Sequence, residues 1–436
     1  MNYCIIGASA AGINAIESIR AYDKKSNIAL ISDEDFSPYS RCLLSYLLAG
    51  SLTKEHLHFK PKDFLEKNRV NFQRGVKAER ILYKERKVLL SDKSQIPFDK
   101  LLLATGARPK IPRIPGIEKR GVYPLRTLSD AQKIEGCIKA GLETAVVLGG
   151  GLIGMRSAYA LAKRGVKVKV VVKSPHILSQ AIDQPSAEIV QGYLEKRGIE
   201  VLTKTDVIEI SGQERVEEVT LDNGKRIKAG LVIIGKGVVP NSELAEEVGI
   251  KIREGILIEK NLETSLKDIF AAGDVVESFD LTSGETSLNP LWPVAVEQGK
   301  LAGLSMVNKS VEYQGTVPMN SLTLFNLSLI TIGLVNPFKE NYSVMVYADK
   351  KKYLYRKFIF YRNRLVGTIL LGEIEKAGIF SLLIRKMVDV SSLKEIFIEK
   401  EFNYAKIIPF ILDNPEIFKE KEFNDTLLSL QKEFVS

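Results

Sequence analysis

Two glycine-spaced turns and one cysteine carry the chemistry that this sequence can perform. Gly7-Ala-Ser-Ala-Ala-Gly12 follows the apolar run at Tyr3 to Ile6 and precedes an amphipathic segment reaching about Tyr22. Gly149-Gly-Gly-Leu-Ile-Gly154 follows a second apolar run, Thr144 to Leu148, and precedes a segment reaching about Arg164. Strand, glycine turn and helix in that order form a pyrophosphate site. The first glycine permits the tight turn, and the third position must be small so that the backbone can approach the phosphates. The last glycine lets helix and strand pack closely, and the helix start offers free N–H groups. Ser9 departs from the usual glycine, with Ala10 and Ala11 completing the first turn; the second turn is complete through Gly149, Gly151, Leu152, Ile153 and Gly154. Cys42 lies within Ser37-Pro-Tyr-Ser-Arg-Cys-Leu-Leu-Ser-Tyr-Leu-Leu-Ala-Gly50. Its thiol is either a redox centre or a wall of the pocket. A redox thiol needs a stabilised thiolate; Arg41 is adjacent, and a helix starting at Leu43 would lower the thiol pKa. Arg41 can instead face phosphates. No second cysteine stands nearby, so a redox role would run through a sulfenic acid or a mixed disulfide.

The elements that position these groups form two repeated units. Ile28 to Ser32 reads as the strand after the first turn, and Asp33 at its end suits ribose hydroxyls. Val166 to Val172 is the matching strand of the second unit, followed by Lys173-Ser174 with no acid. A lysine there suits a 2′-phosphate. Two apolar strands end in bare backbone. One closes on Ala104-Thr105-Gly106, with Arg108 just beyond; the other closes on Gly273-Asp274, whose carboxylate suits a polyol hydroxyl. Trp292 and Pro293 open a helix reaching Gly303. Residues 54 to 68 read as one polar helix, a strand passes at Val76 to Ala78, and a hairpin turns at Asp92-Lys93. Pro109, Pro112 and Pro115 mark a linker. Beyond about residue 312 the composition changes. Two antiparallel strands flank Arg362-Asn-Arg364, Lys350 to Lys352 read as a solvated hairpin edge, and a lysine-rich helical tail runs from Phe402.

The 436 residues suggest roughly three domains at about 150 residues each. The expected class is α/β, with two Rossmann-like dinucleotide-binding domains, the second inserted in the first, and an α+β C-terminal domain. The boundaries read as 1–115 with 242–311, then 116–241, then 312–436. Three scattered cysteines exclude a disulfide scaffold, and three histidines without a cysteine cluster make a metal site unexpected. No run of about 18 apolar residues appears, and the N-terminus enters a strand directly. A soluble cytoplasmic protein is expected. The net charge of +9 is dispersed without a nucleic-acid motif, which disfavours nucleic acid and is compatible with an acidic protein partner.

Together these motifs resemble the FAD-dependent pyridine nucleotide-disulfide oxidoreductases over the whole chain. Gly7 to Gly12, Ala104-Thr-Gly106 and Phe270-Ala-Ala-Gly-Asp274 match the FAD signatures, and Gly149 to Gly154 matches the NAD(P)H turn. The resemblance implies that Gly7, Ser9, Ala10, Ala11, Gly12, Asp33, Arg41, Cys42, Val76, Ala104, Thr105, Gly106, Arg108, Gly273, Asp274 and Trp292 face FAD. Gly149, Gly151, Leu152, Ile153, Gly154 and Lys173 would face NADPH or NADH. Two branches compete. The spacing of Cys42 resembles single-cysteine NADH oxidases and coenzyme A-disulfide reductases. Pro38-Tyr-Ser-Arg41 and Leu291-Trp-Pro293 resemble the NAD(P)H-nitrite reductase flavoprotein and rubredoxin reductase branch, whose C-terminal domain contributes to a homodimer. Ala10 stands where peroxidases carry histidine, and Arg156 where many relatives carry glutamate near the nicotinamide. The implied activity is electron transfer from NAD(P)H through flavin to a small redox protein of rubredoxin or ferredoxin type. The alternatives are a reductase of small disulfides, persulfides or oxygen through Cys42, and an electron-transfer subunit that no longer uses NAD(P)H. One consequence is directly measurable: Lys173→Glu lowers the NADPH-over-NADH preference for flavin bleaching in stopped flow by roughly tenfold. An unchanged ratio would remove Lys173 from the 2′-phosphate assignment.

Overall fold

Three five-stranded sheets organise the chain. The structure is a computed structural model that describes every residue except 338–340, 400–401, 416 and 419–436. The first sheet runs in the order Ile269–Ala271, Lys100–Leu103, Asn2–Ile6, Asn27–Ser32, Val70–Arg74, all parallel. The second runs Ile199–Thr203, Lys167–Val172, Thr144–Leu148, Leu231–Ile234, Val122–Pro124, again all parallel. Strands covered on both faces must be apolar throughout, and Cys4, Ile5, Val146, Val147 and Leu148 are fully buried. The last strand of the first sheet follows every strand of the second, so the second unit is inserted in the first. The two crossings lie side by side: Ala107–Pro109 pairs antiparallel with Val238–Pro240.

Helix Ala10–Tyr22 packs along helix Trp292–Met306. The packing is close enough that a side chain at Gly299 or Gly303 would strike the backbone of Ala11 or Ala15. The third sheet is antiparallel, in the order Met319–Leu324, Leu327–Gly333, Arg364–Leu371, Leu354–Tyr361, Tyr342–Asp349. The expected hairpin at Arg362-Asn363 is its centre, and both turn residues are left-handed, as a two-residue turn demands. Helix Ala377–Lys386 covers one face around Phe358, Phe380 and Phe397.

Some local expectations fail for identifiable reasons. The stretch from 54 to 68 is two short helices, Lys54–Leu57 and Phe64–Lys67, because Pro61 interrupts the backbone ladder between them. Val76 lies between strands rather than in one, its N–H bonded to the Ser32 carbonyl at 2.9 Å. Lys350–Lys352 are exposed in the connection between the antiparallel strands Tyr342–Asp349 and Leu354–Tyr361, in agreement with a solvated hairpin edge, as a 3₁₀ turn capped by Asp349. Helix Ile408–Leu412 lies in the expected tail, most of which falls outside the described residues. No helix among the described residues is long and apolar enough to cross a membrane.

One buried ionic knot joins the second unit to the third sheet. Asp183 caps helix Gln184–Glu195 through the Ser186 N–H at 3.2 Å. It also receives the Tyr355 hydroxyl at 2.7 Å and the Lys357 ammonium at 3.0 Å. Burial alone would raise the Asp183 pKa; the bonds from Ser186, Tyr355 and Lys357 outweigh it, and the net shift is downward. A depressed carboxyl contributes stability above the unfolded value of about 3.9 and loses it as pH falls through the folded value. Lys357→Met leaves the carboxylate underpaired. It is expected to cost about 3 kcal/mol in denaturant unfolding at neutral pH, with the deficit shrinking under acid as wild type loses its own advantage. A deficit constant down to strongly acidic pH would show that the pair contributes nothing through charge.

Candidate functional site

The strand order brings the carboxyl ends of the first sheet, the helix start that follows the second glycine turn and the third sheet onto one cavity of about 1710 Å³. Three helices open onto it without caps. Ala10–Tyr22 starts after Ser9, Leu152–Lys163 after Gly151 and Trp292–Met306 after Leu291; none has a side-chain cap or an acid in its first turn. Helices Leu128–Lys139 and Gln184–Glu195 are instead capped by Thr127 and Asp183. Unspent N–H groups and positive dipole ends therefore converge where anionic groups are expected. The glycines fit the same purpose. A Cβ on Gly12 would lie 2.0 Å from the Gly7 carbonyl oxygen, and one on Gly154 would lie 2.0 Å from that of Gly149. Each turn is thus drawn against its own helix, leaving the outer backbone bare for phosphate.

Gly7, Ser9, Ala10 and Ala11 line the cavity, as do Ala104, Thr105, Gly106, Arg108, Gly273, Asp274 and Trp292. Gly12 supports the turn from behind. Asp33 also lines it, as does Glu34 beside it. Thr105 Oγ1 donates to the Asn241 carbonyl at 2.8 Å, and Asn241 Nδ2 returns a bond to the Thr105 carbonyl at 2.9 Å, locking the crossing between the units. Trp292 meets Phe59 edge-on at 5.0 Å. Leu152 and Ile153 carry the second turn into the same cavity. Gly149, Gly151 and Gly154 do not themselves line it, and Val76 and Lys173 fall elsewhere. The Val76 side chain packs into the core, and Lys77 and Ala78 take its place on the wall. Lys173 is exposed at the end of its strand, outside this cavity.

Arg126 was not singled out by any motif, yet it ties the centre together. It pairs with Asp274 at 2.6 Å, donates to the Ala107 carbonyl at 3.1 Å, and offers its own carbonyl to Arg41 at 3.0 Å. Arg41 also pairs with Glu34, which accepts the Tyr39 hydroxyl at 2.6 Å. Arg41 thus carries a carboxylate partner besides facing the cavity. Met319, Asn320 and Ser321 of the third sheet complete the wall. Their contribution lies about 280 residues from Cys42 and carries no local signature.

Cys42 opens onto the cavity, and its thiol is accessible there. The enclosing walls still strip water from it. That desolvation pushes the thiol pKa up, Arg156 pulls it down, Asp274 raises it and Arg126 lowers it; the net direction is upward. The expected helix start does not rescue the thiolate. Cys42 sits within a 3₁₀ turn, Arg41–Leu43, ahead of a five-residue helix, Leu44–Leu48.

The sequence comparisons identify the family. The family model "Pyridine nucleotide-disulphide oxidoreductase" matches residues 1–299, and "Rubredoxin NAD+ reductase C-terminal domain" matches residues 318–388. This chain belongs to the pyridine nucleotide-disulphide oxidoreductases. It is 32% identical over 400 residues to the NADH-dependent phenylglyoxylate dehydrogenase subunit epsilon of Aromatoleum evansii, covering 91% of this chain and 94% of that one. It is 33% identical over 435 residues to the NADH oxidase of Methanocaldococcus jannaschii, covering 94% and 96%. A solved NAD-dependent persulfide reductase from A. fulgidus superposes with a TM-score of 0.87 at 26% identity, covering 95% of this chain and 84% of that one. The protein is therefore an FAD-dependent oxidoreductase of a family that uses NADH or NADPH. The three uncapped helix ends and the bare glycine turns fit FAD and a second nucleotide.

A raised thiol pKa predicts slow chemistry at Cys42. Its alkylation by iodoacetamide, taken as the difference between wild type and Cys42→Ser, should be slower at pH 8 than that of a free thiol. The rate should still climb above the ordinary thiol value of about 8.5. A plateau below that pH would mean that a stabilised thiolate exists.

Proposed function

We propose that this protein takes electrons from NAD(P)H and delivers them through FAD to a small one-electron redox protein. The observation that carries the acceptor assignment is Cys42: the thiol is accessible at the cavity, yet its desolvating walls push its pKa up rather than down. A thiol relay needs a thiolate and a resolving partner. Cys4 is fully buried and Cys137 is half-buried on helix Leu128–Lys139, so neither supplies one among the described residues.

The residues divide the work. The Ala10–Tyr22 helix end and the turn from Gly7 to Ala11 would hold the FAD pyrophosphate, with Asp33 at the adenosine ribose and Asp274 at the ribityl chain. The Trp292–Met306 helix end would place positive potential against the ring edge that gains negative charge. Gly149 to Gly154 would hold the NAD(P)H pyrophosphate, leaving Lys173 for a 2′-phosphate. Arg126 orients Asp274, and Arg41 fixes the segment before Cys42. When bound, FAD accepts a hydride from a dihydronicotinamide and gives up its electrons one or two at a time. Overall, NAD(P)H loses two electrons and a proton, two one-electron acceptors are each reduced, and the proton is released. We assign residues 1–115 with 242–311 to the FAD unit, 116–241 to the NAD(P)H unit and 312–436 to a unit that also carries a homodimer contact. The C-terminal match to a rubredoxin reductase domain supports a small protein acceptor. The net charge of +9 supports an acidic one.

The test compares Cys42→Ser with wild type, each loaded with about one FAD per chain. Both should reduce a one-electron dye and an acidic iron–sulfur protein at similar rates, and the protein-acceptor rate should fall with salt. If wild type rapidly reduces a small disulfide or polysulfide and Cys42→Ser abolishes only that, the persulfide-type reading replaces this one. If neither NADH nor NADPH bleaches the flavin, the chain is an electron-transfer subunit fed from elsewhere.

A further inference from the structure

Five arginines line the cavity, and four have a carboxylate partner. Arg41 pairs with Glu34, Arg80 with Glu247 at 3.7 Å, Arg108 with Glu243 at 2.5 Å and Arg126 with Asp274 at 2.6 Å. Among the described residues Arg156 is the one of the five without an ion pair. Neutral groups hold it instead. It donates to the Cys42 carbonyl at 3.2 Å and to the Ser321 carbonyl at 2.7 Å, and it lies 5.8 Å from the Tyr46 ring centroid. Carbonyl dipoles and a ring face fix a guanidinium in position without cancelling its charge. A full positive charge therefore stands in the wall at the junction of all three units.

Its position on the chain gives that charge a target. Arg156 belongs to helix Leu152–Lys163, whose start carries the second glycine turn. It lies three residues after Ile153, on the same helix face. Ile153 also lines the cavity and is 44% exposed. A nicotinamide held by this turn would enter the cavity along the face that Ile153 and Arg156 share. The ring changes charge in the reaction: a dihydronicotinamide is neutral, and loss of a hydride leaves a pyridinium with one positive charge.

We propose that Arg156 makes the site discriminate against oxidised nicotinamide, so that NAD(P)⁺ is bound more weakly than NAD(P)H and is expelled once formed. The proposal rests on the nucleotide-dependent reading above. The paired arginines contribute little to it, because each of their charges is offset by its carboxylate. A like charge in a wall at an effective dielectric constant of about 20 changes affinity on the order of tenfold or more.

The experiment uses the FAD-loaded protein and calorimetric titration rather than turnover. The oxidised nucleotide is compared with its 1,4,5,6-tetrahydro analogue, which is neutral at the ring and cannot give up a hydride. Wild type should bind the analogue at least about tenfold more tightly. Arg156→Gln should remove most of that ratio, chiefly by tightening the oxidised nucleotide. Arg156→Lys keeps the charge but cannot span both carbonyls as a planar fork does, and it should retain the ratio. Equal ratios in wild type and Arg156→Gln would overturn the proposal, as would a lysine variant that behaves like the glutamine one. Thermal unfolding of each variant identifies loss of fold. If wild type binds neither nucleotide while remaining yellow and folded, the nucleotide-dependent reading itself fails and takes this inference with it.

Discussion

Everything at this site depends on leaving three helix N-termini uncapped. Each helix start has N–H groups without intrahelical partners, and most proteins satisfy them with a side chain or water. Here the helices beginning at Leu128 and Gln184 are capped, and those beginning at Ala10, Leu152 and Trp292 are not. All three open onto the same cavity. These donors are left free at the cavity, at the cost of weaker isolated helices. Tight packing compensates. Helix Ala10–Tyr22 lies so close to helix Trp292–Met306 that only glycine fits at 299 and 303.

The insertion of one nucleotide unit in the other creates the second constraint. Two folds joined only by paired strands at 107–109 and 238–240 would hinge freely. The Thr105–Asn241 bonds and the bridge from Arg126 to Asp274 stiffen that junction from within the cavity wall. The Asp183–Tyr355–Lys357 knot and the reach of Arg156 to Ser321 then fasten the second unit to the third sheet. An apolar seam from Ala187, Val190 and Tyr193 to Leu322, Leu327 and Tyr355 lies along the same boundary, and the polar bonds add direction to it.

The legible part of the site is the part written locally. A strand, a glycine turn and a helix start are neighbours in sequence, so the turns at 7–12 and 149–154, and the strand ends at 104–106 and 273–274, could be read directly. The centre could not. Arg126 sits in no motif, and its role exists only because the topology returns Asp274 to it from 148 residues away. The third-sheet wall at Met319 to Ser321 is the same kind of case. The helix expected over 54–68 erred on periodicity: polar spacing suited a helix, and Pro61 decided against it. For Cys42 the sequence leaves two readings, a redox centre and a pocket wall. The desolvation that pushes its thiol pKa up comes from walls distant in sequence and is not visible there.

That last point bears on how relatives with one scaffold can serve different acceptors. A cysteine at this position is not by itself a redox centre. Its pKa is shifted by a balance among desolvation, Arg156, Arg126 and Asp274, none of them its neighbour in sequence. Pairing Arg126 with Asp274 sets one cation against one anion, and holding Arg156 on carbonyls leaves its charge uncancelled. A change in either contact would move the thiol and would also loosen a junction between units, so the state of the cysteine is tied to the frame that would hold the nucleotides.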